Sequence, residues 1–350
     1  MGSMNFAVWF LAIFCQSQSW QQAVSFSPPS PTTSSHPTTT TTTSILSSAA
    51  TPGAKVNDNK ALGSSNESEK DESSNILDDS VTTDKLQGRL LKRMRQVCKD
   101  YQMLEEGDHI MVCVSGGKDS ATLLYLLREM QERLPTNFDL TVVHVDQKQP
   151  GYDGASLVAW LEELQVPYRI VEEDTYSIVV DKTPEDKSYC TVCSRLRRGI
   201  LYSTAMDLGC NKIVLGHHAD DTLETFFLNL MHGAQIKAMP ARYTSKRGSL
   251  AVMRPLITCL EEDIAAYAAA KQFPILPCNL CSNQANLQRP QVKLLLQTLQ
   301  GFNPNAKQNM INAMGDVRPS HLLDQDLREA CGLDRTTGEE DDEEESSPLR

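Results

Sequence analysis

Five short apolar runs, each followed by a turn and a stretch of helical apolar spacing, set the strongest limit on how this chain can fold. The runs are HIMVCV from His109, LTVVHVD over Leu140–Asp146, YRIVEED over Tyr168–Asp174, NKIVLGHH from Asn211 and LAVMRPLI from Leu250. Each is nearly continuous in apolar side chains rather than alternating, as a strand covered on both faces requires. The stretches that follow them include SLVAWLEEL, SRLRRGILYSTAMDLG, DDTLETFFLNLMHG and LEEDIAAYAAAKQ. Strands alternating with helices predict an α/β fold built on a parallel sheet. In such sheets ligands bind beyond the carboxyl ends of the strands, so chemistry is expected in the loops after strands one, two and four.

The flanks carry no such pattern. Residues 27–84 are dominated by Ser, Thr, Pro, Asn and Asp, as in PTTSSHPTTTTTTS, and are expected to form a disordered linker. Residues 331–350 end in the acidic run GEEDDEEESSPLR and are expected to form a disordered tail. These flanks explain the net charge of −12, because Lys85 to Ala330 holds 28 Lys and Arg against 29 Asp and Glu. A near-neutral core with basic patches is compatible with a nucleic-acid ligand. One such patch is KLQGRLLKRMRQVCKDYQML, Lys85–Leu104, a basic amphipathic helix that is either an ordinary solvated face or a contact for a phosphate backbone.

Residues 1–26 read as a leader. The apolar run Phe6–Cys15 is too short to cross a bilayer and has the length of a signal peptide. No acidic residue precedes Asp58, and hydroxyl residues follow the apolar run. The order, with a phenylalanine in AVSFSP, resembles the bipartite leaders of algae with secondary plastids. That likeness implies plastid import, with a mitochondrial or cytoplasmic location as the alternatives.

The loop after the first strand is Ser115-Gly116-Gly117-Lys118-Asp119-Ser120. Two glycines allow a tight turn and close backbone approach to an anion, and a helix start presents free N–H groups to it. Lys118 adds a positive charge. Asp119 stands where a GxxxxGK[ST] loop carries Ser or Thr. Beside a phosphate it needs an intervening cation, which points to Mg²⁺ or to a role near the α-phosphate.

SGGKDS is similar to the PP-loop of the ATP-pyrophosphatase family, whose members cleave ATP between its α- and β-phosphates. A second stretch, LGHHADDTLETFFLNL, and RPL at Arg254–Leu256 extend the resemblance across Gly107 to Leu256. It implies an adenine-nucleotide alpha-hydrolase-like, Rossmann-like core over 85–258, followed by a small helical segment over 259–330. The implied ATP-binding set is Ser115, Gly116, Gly117, Lys118, Asp119, Ser120, Asp146, His217 and Asp221. Lys118, Asp119 and Asp220 are the implied catalytic residues.

Four of the ten cysteines form two CxxC pairs, Cys190/Cys193 and Cys278/Cys281. Such pairs can build a structural zinc site, hold an iron–sulfur cluster or cycle through a disulfide, and spacing alone leaves these open. CTVCSRLRRGILY, PCNLCSNQANLQR and PSHL at Pro319–Leu322, together with SGGKDS, are similar to the tRNA 2-thiocytidine synthetase (TtcA) family. That resemblance implies a sulfurtransferase that adenylates C2 of cytidine 32 in a tRNA anticodon loop and replaces the oxygen by sulfur. It further implies a 4Fe–4S cluster on Cys190, Cys193 and Cys278, with Cys281 as the alternative third ligand.

The implied partners are tRNA and a sulfur donor such as a cysteine desulfurase. No membrane is expected for the mature form, and a homodimer stays open. Arg195, Arg197 and Arg198 are the densest basic cluster and the candidate RNA contacts. Three alternatives remain: a 2-thiouridine synthetase, a lysidine synthetase-like enzyme, and a zinc- or tRNA-binding protein with a degenerate nucleotide site.

Overall fold

The core forms because apolar side chains at helical and strand spacing meet across a single sheet. The structure, a computed structural model, describes residues 68–183, 189–246, 250–276 and 288–333. Its elements are α1 (Ser68–Asp100), β1 (Asp108–Cys113), α2 (Lys118–Arg133), β2 (Phe138–Asp146), α3 (Ala155–Glu163), β3 (Tyr168–Glu172), α4 (Thr175–Lys182) and α5 (Cys190–Asp207). They continue with β4 (Lys212–Val214), α6 (Ala219–Gly233), β5 (Arg242–Thr244), β6 (Ala251–Met253), α7 (Glu261–Ala270), α8 (Gln288–Phe302), α9 (Ala306–Ala313) and α10 (Gln325–Ala330). The six strands form one sheet in the order β3-β2-β1-β4-β6-β5.

All pairings are parallel except that of β5 with β6. The period of two along β1 sends Ile110 and Val112 to one face and Met111 to the other. Ile110 and Val112 join a cluster with α1, α2 and α7, in which Leu90, Met94, Leu123 and Tyr267 are fully buried. Met111 joins Val143, Ile213 and Val252 against Leu201 and Ala205 of α5. The expected α/β sheet, covered on both faces, is therefore present.

Three details depart from the expectation. Helix α1 begins at Ser68, inside the stretch expected to be a disordered linker. Packing at Leu86, Leu90 and Met94 fixes a nucleus, from which further turns add at low cost. Strand β5 was not expected; its three residues carry no alternation, and pairing of Tyr243 with Val252 creates it. A boundary between residues 258 and 259 cuts one hydrophobic cluster, because Ile264, Tyr267 and Phe273 pack with Leu90 and Leu123. Instead, α8 and α9 cover α6 through Leu223, Val292 and Leu296. Among the described residues no helix is long and apolar enough to cross a membrane.

Candidate active site

The loop between β1 and α2 is held by its own side chains and by one distant residue. Gly116 has φ +82°, and a Cβ there would lie 2.9 Å from the Leu276 side chain. Leu276 N donates to Gly116 O at 2.8 Å, so both conformation and space demand glycine. The Ser120 hydroxyl is buried, donating to Gly117 O at 2.9 Å and accepting from Ser115 N at 3.1 Å. Ser120 therefore closes the loop, while Ser115 stays exposed. Gly117 caps α2 without any side-chain acceptor, which leaves helix N–H groups facing the loop mouth.

Lys118 sits between two carboxylates, 3.1 Å from Asp119 Oδ1 and 3.1 Å from Glu261 Oε1. Burial alone would lower the Lys118 pKa, but Asp119 and Glu261 outweigh it and hold the ammonium above its ordinary value. Burial alone would raise Glu261; hydrogen bonds from Lys293, at 2.7 Å, and from Lys118 bring it down to about 2 instead. Asp119 Oδ1 is buried and, despite its ion pair with Lys118, accepts no hydrogen bond among the described residues. It is an acceptor with spare capacity, near Lys118 Nζ and His218 Nε2.

The stretch after β4 closes on the same loop. A Cβ at Gly216 would lie 3.0 Å from Ser120 N and 3.1 Å from the Asp119 carbonyl carbon, so only glycine lets this segment touch the loop. His218 and Asp221 form a reciprocal cap on α6, and His218 Nε2 lies 3.7 Å from Asp119 Oδ1. Burial, with help from Arg254, lowers His217 to about 4, so the ring is neutral near pH 7. Its Nδ1 accepts from Arg254 Nε at 3.3 Å, which places its proton on Nε2. Asp220 points elsewhere: one oxygen accepts from Glu261 N at 2.7 Å and the other pairs with Lys307 at 2.7 Å. The structure thus sets His218 and its cap partner Asp221 against Asp119, holds His217 beside Arg254, and uses Asp220 to pin α7 and α9.

At the end of β2, Asp146 is engaged by Lys148, through Lys148 N at 2.7 Å and Nζ at 3.2 Å. The next residue, Gln147, accepts from the buried Cys193 thiol at 3.5 Å. Arg197, one turn along α5, donates to Cys193 Sγ at 3.7 Å. Arg195 and Arg198 are exposed. The run RLRR is thereby split, with Arg197 serving the cysteine rather than the surface.

Cys190 is the first residue of α5. Cys278 and Cys281 lie outside the described residues, and Leu276, bound to Gly116, is the last described residue before them. Among the described residues no group of three His, Cys, Asp or Glu is arranged as a metal site. Burial pushes Cys98, Cys113 and Cys259 up to about 12, so these thiols are inert core groups.

Sequence reasoning missed Glu261 and Gly216. Glu261 looks like one of several acids in the first turn of a helix, where the dipole favours them. The glycine in LGHH carried a weak signal, since a lone glycine at a strand end often marks close backbone approach.

A family model described as a PP-loop domain matches residues 86–291. The tRNA-cytidine(32) 2-sulfurtransferase of Methylobacillus flagellatus is 50% identical over 258 residues, covering 74% of this chain and 85% of that protein. Its counterpart in Serratia proteamaculans is 52% identical over 249 residues, covering 71% and 80%. Among solved structures, the U34-tRNA thiolase of Methanococcus maripaludis, determined with its [4Fe-4S] cluster, superposes with a TM-score of 0.51 at 22% identity, covering 66% and 80%. At that identity the likeness supports the fold.

Proposed function

The chain belongs to the PP-loop family and, within it, to the tRNA-cytidine(32) 2-sulfurtransferases; from that premise we propose that it uses ATP to replace the C2 oxygen of cytidine 32 in tRNA by sulfur. One observation carries the reading beyond kinship. The Ser115–Ser120 loop and the Cys193 thiol stand at the carboxyl ends of neighbouring strands, β1 and β2. The loop and the Cys193 thiol thus lie at the same edge of the sheet, as chemistry on one shared base would require.

A pyrimidine C2 oxygen is a poor leaving group. Its attack on the α-phosphate of ATP expels pyrophosphate and leaves C2 bearing an AMP ester. Sulfide then adds to C2, and AMP departs with the oxygen. The N–H groups at the start of α2 and the Lys118 ammonium hold the phosphates and neutralise charge as pyrophosphate leaves. Glu261 fixes the lysine from behind. The unfilled acceptor Asp119 Oδ1 suits Mg²⁺, an oxygen-seeking ion. Neutral His217, with its proton on Nε2, can donate a hydrogen bond without adding charge. Asp146 lies where the base or ribose of ATP would rest.

The residues present also fit an iron–sulfur cluster. Cys190 and Cys193 occupy the first turn of α5, whose N-terminal dipole favours anionic sulfur, and Arg197 adds a donor to Cys193. Cys278 is the preferred third ligand and Cys281 the alternative. When bound there, the cluster supplies an iron with a coordination position open to sulfide. Arg195 and Arg198 contact the RNA. Residues 1–26 direct import into a plastid, which a fluorescent fusion of the leader would test.

The deciding experiment is mass spectrometry of tRNA nucleosides from cells lacking this gene. Loss of 2-thiocytidine, restored by the wild-type chain, is expected; unchanged 2-thiocytidine overturns the function. Anaerobically purified protein should absorb broadly in the visible and lose that absorbance on Cys190→Ala. Colourless protein with stoichiometric zinc would remove the cluster from the proposal.

A further inference from the structure

We propose that the outer face of α5 and the edge strand β5 form a cleft that holds the stem of the tRNA, leading away from the target base; this rests on the tRNA reading above. The cleft is shallow and open, about 500 Å³ in volume, and its walls include Arg195, Arg198 and Tyr202 from α5 with Tyr243, Thr244 and Lys246 from β5 and the turn after it. Among the described residues three cations line it and no carboxylate does.

Most basic groups near the loop are already neutralised: Lys118 and Lys293 by Glu261, Lys307 by Asp220, Lys148 by Asp146 and Glu172. Among the described residues Arg195 and Lys246 have no ion pair or hydrogen bond. An uncommitted cation pair facing a concave surface is the footprint of a phosphate backbone.

Helix α5 starts beside the chemistry, since Cys193 touches Gln147 just past β2, and it runs toward the amino end of the sheet, where β4 begins. The cleft follows the same course: Arg195 and Tyr202 are about 10 Å apart along the helix, and Thr244 pairs with Ala251 at the amino end of β6. A base reaching the loop from an anticodon loop must have its stem lie along some outer wall, and this wall begins one turn from Cys193. The Tyr202 and Tyr243 hydroxyls, 3.0 Å apart, offer donors and acceptors to ribose 2′-hydroxyls. The rival basic stripe, Lys92, Arg95 and Lys99 of α1, lies with α2 and α7 on the opposite face of the sheet.

Helix geometry also explains the choice among the three arginines. Arg195 and Arg198 are three residues apart and share a face, whereas Arg197 turns inward to Cys193.

The test titrates unmodified tRNA carrying cytidine 32 against full-length protein, by fluorescence anisotropy at several salt concentrations. Arg195→Gln and Lys246→Gln should each weaken binding about tenfold and reduce the salt slope by about one. Affinity for ATP alone should not change. Lys92→Gln with Arg95→Gln should bind tRNA like wild type. If the α1 variant loses tRNA and the cleft variants keep it, the cleft is overturned. If wild type binds no tRNA, the functional reading fails instead.

Discussion

Two lysines at opposite ends of the sheet do opposite work. Lys212 opens β4 at the amino end, with its side chain 4% exposed, 2.6 Å from Asp108 and 2.6 Å from Glu105. Its remaining donor capacity goes to Met103 O at 3.2 Å, while Asp108 also accepts from Glu105 N and Asn211 Nδ2. Lys118 stands at the carboxyl end, 30% exposed, between Asp119 and Glu261. There Asp119 Oδ1 still lacks a hydrogen bond. Complete satisfaction at one end makes a structural lock. Spare acceptor capacity at the other, with a lysine only partly shielded from solvent, suits a site.

The contrast can be broken by mutation. The largest effect should come from Lys212→Ala, which strands the buried Asp108 carboxylate and should cost about 3–5 kcal/mol of stability. A thermal melt measures it, and 2-thiocytidine formation per folded molecule should hold steady. Lys118→Ala should reverse the pattern, lowering the thiolation rate about 10²–10³-fold with little change in melting temperature. A melting loss as large as that of Lys212→Ala would erase the distinction between the two ends.

Gly116→Ala sharpens the comparison within the loop. Its left-handed backbone and the Leu276 contact should cost about 1–2 kcal/mol, read in denaturant unfolding, and displace the phosphate cradle. The smallest effect concerns Glu261. Its folded pKa of about 2 lies below the ordinary 4.5, so its contribution is fully present above pH 4.5 and is lost as pH falls toward 2. The stability difference between wild type and Glu261→Gln should therefore shrink across that window. A difference independent of pH there would mean the charge of Glu261 is not what fixes Lys118.

Much of the fold was legible in the sequence. The five apolar runs and the SGGKDS loop carry local signals, in side-chain period and glycine placement, and they located the sheet and the tight turn after β1. The partners of Asp220 were not legible: the sequence places it beside Asp221 in the motif, whereas α6 turns it to Glu261 N and Lys307. Adjacent helical residues diverge by roughly 100°, so neighbours in a motif need not share a site. The same rotation separates Arg197 from Arg198. Glu261 escaped notice because its partner Lys118 is far away along the chain, and nothing local to LEED reports that contact.

The sequence by itself determined the period of each element and the loop where backbone must approach an anion, since both follow from short-range sterics and burial. Only the tertiary structure decided which charges are spent and which are free. Lys118, Lys212, Arg195 and Arg197 are alike as residues in a string; distant carboxylates, a thiol and an edge strand three residues long assign them to a site, a lock, a surface and a cysteine. Charge pairing acts across space and decays within a few ångströms, so it is settled only once the chain has brought its remote parts together.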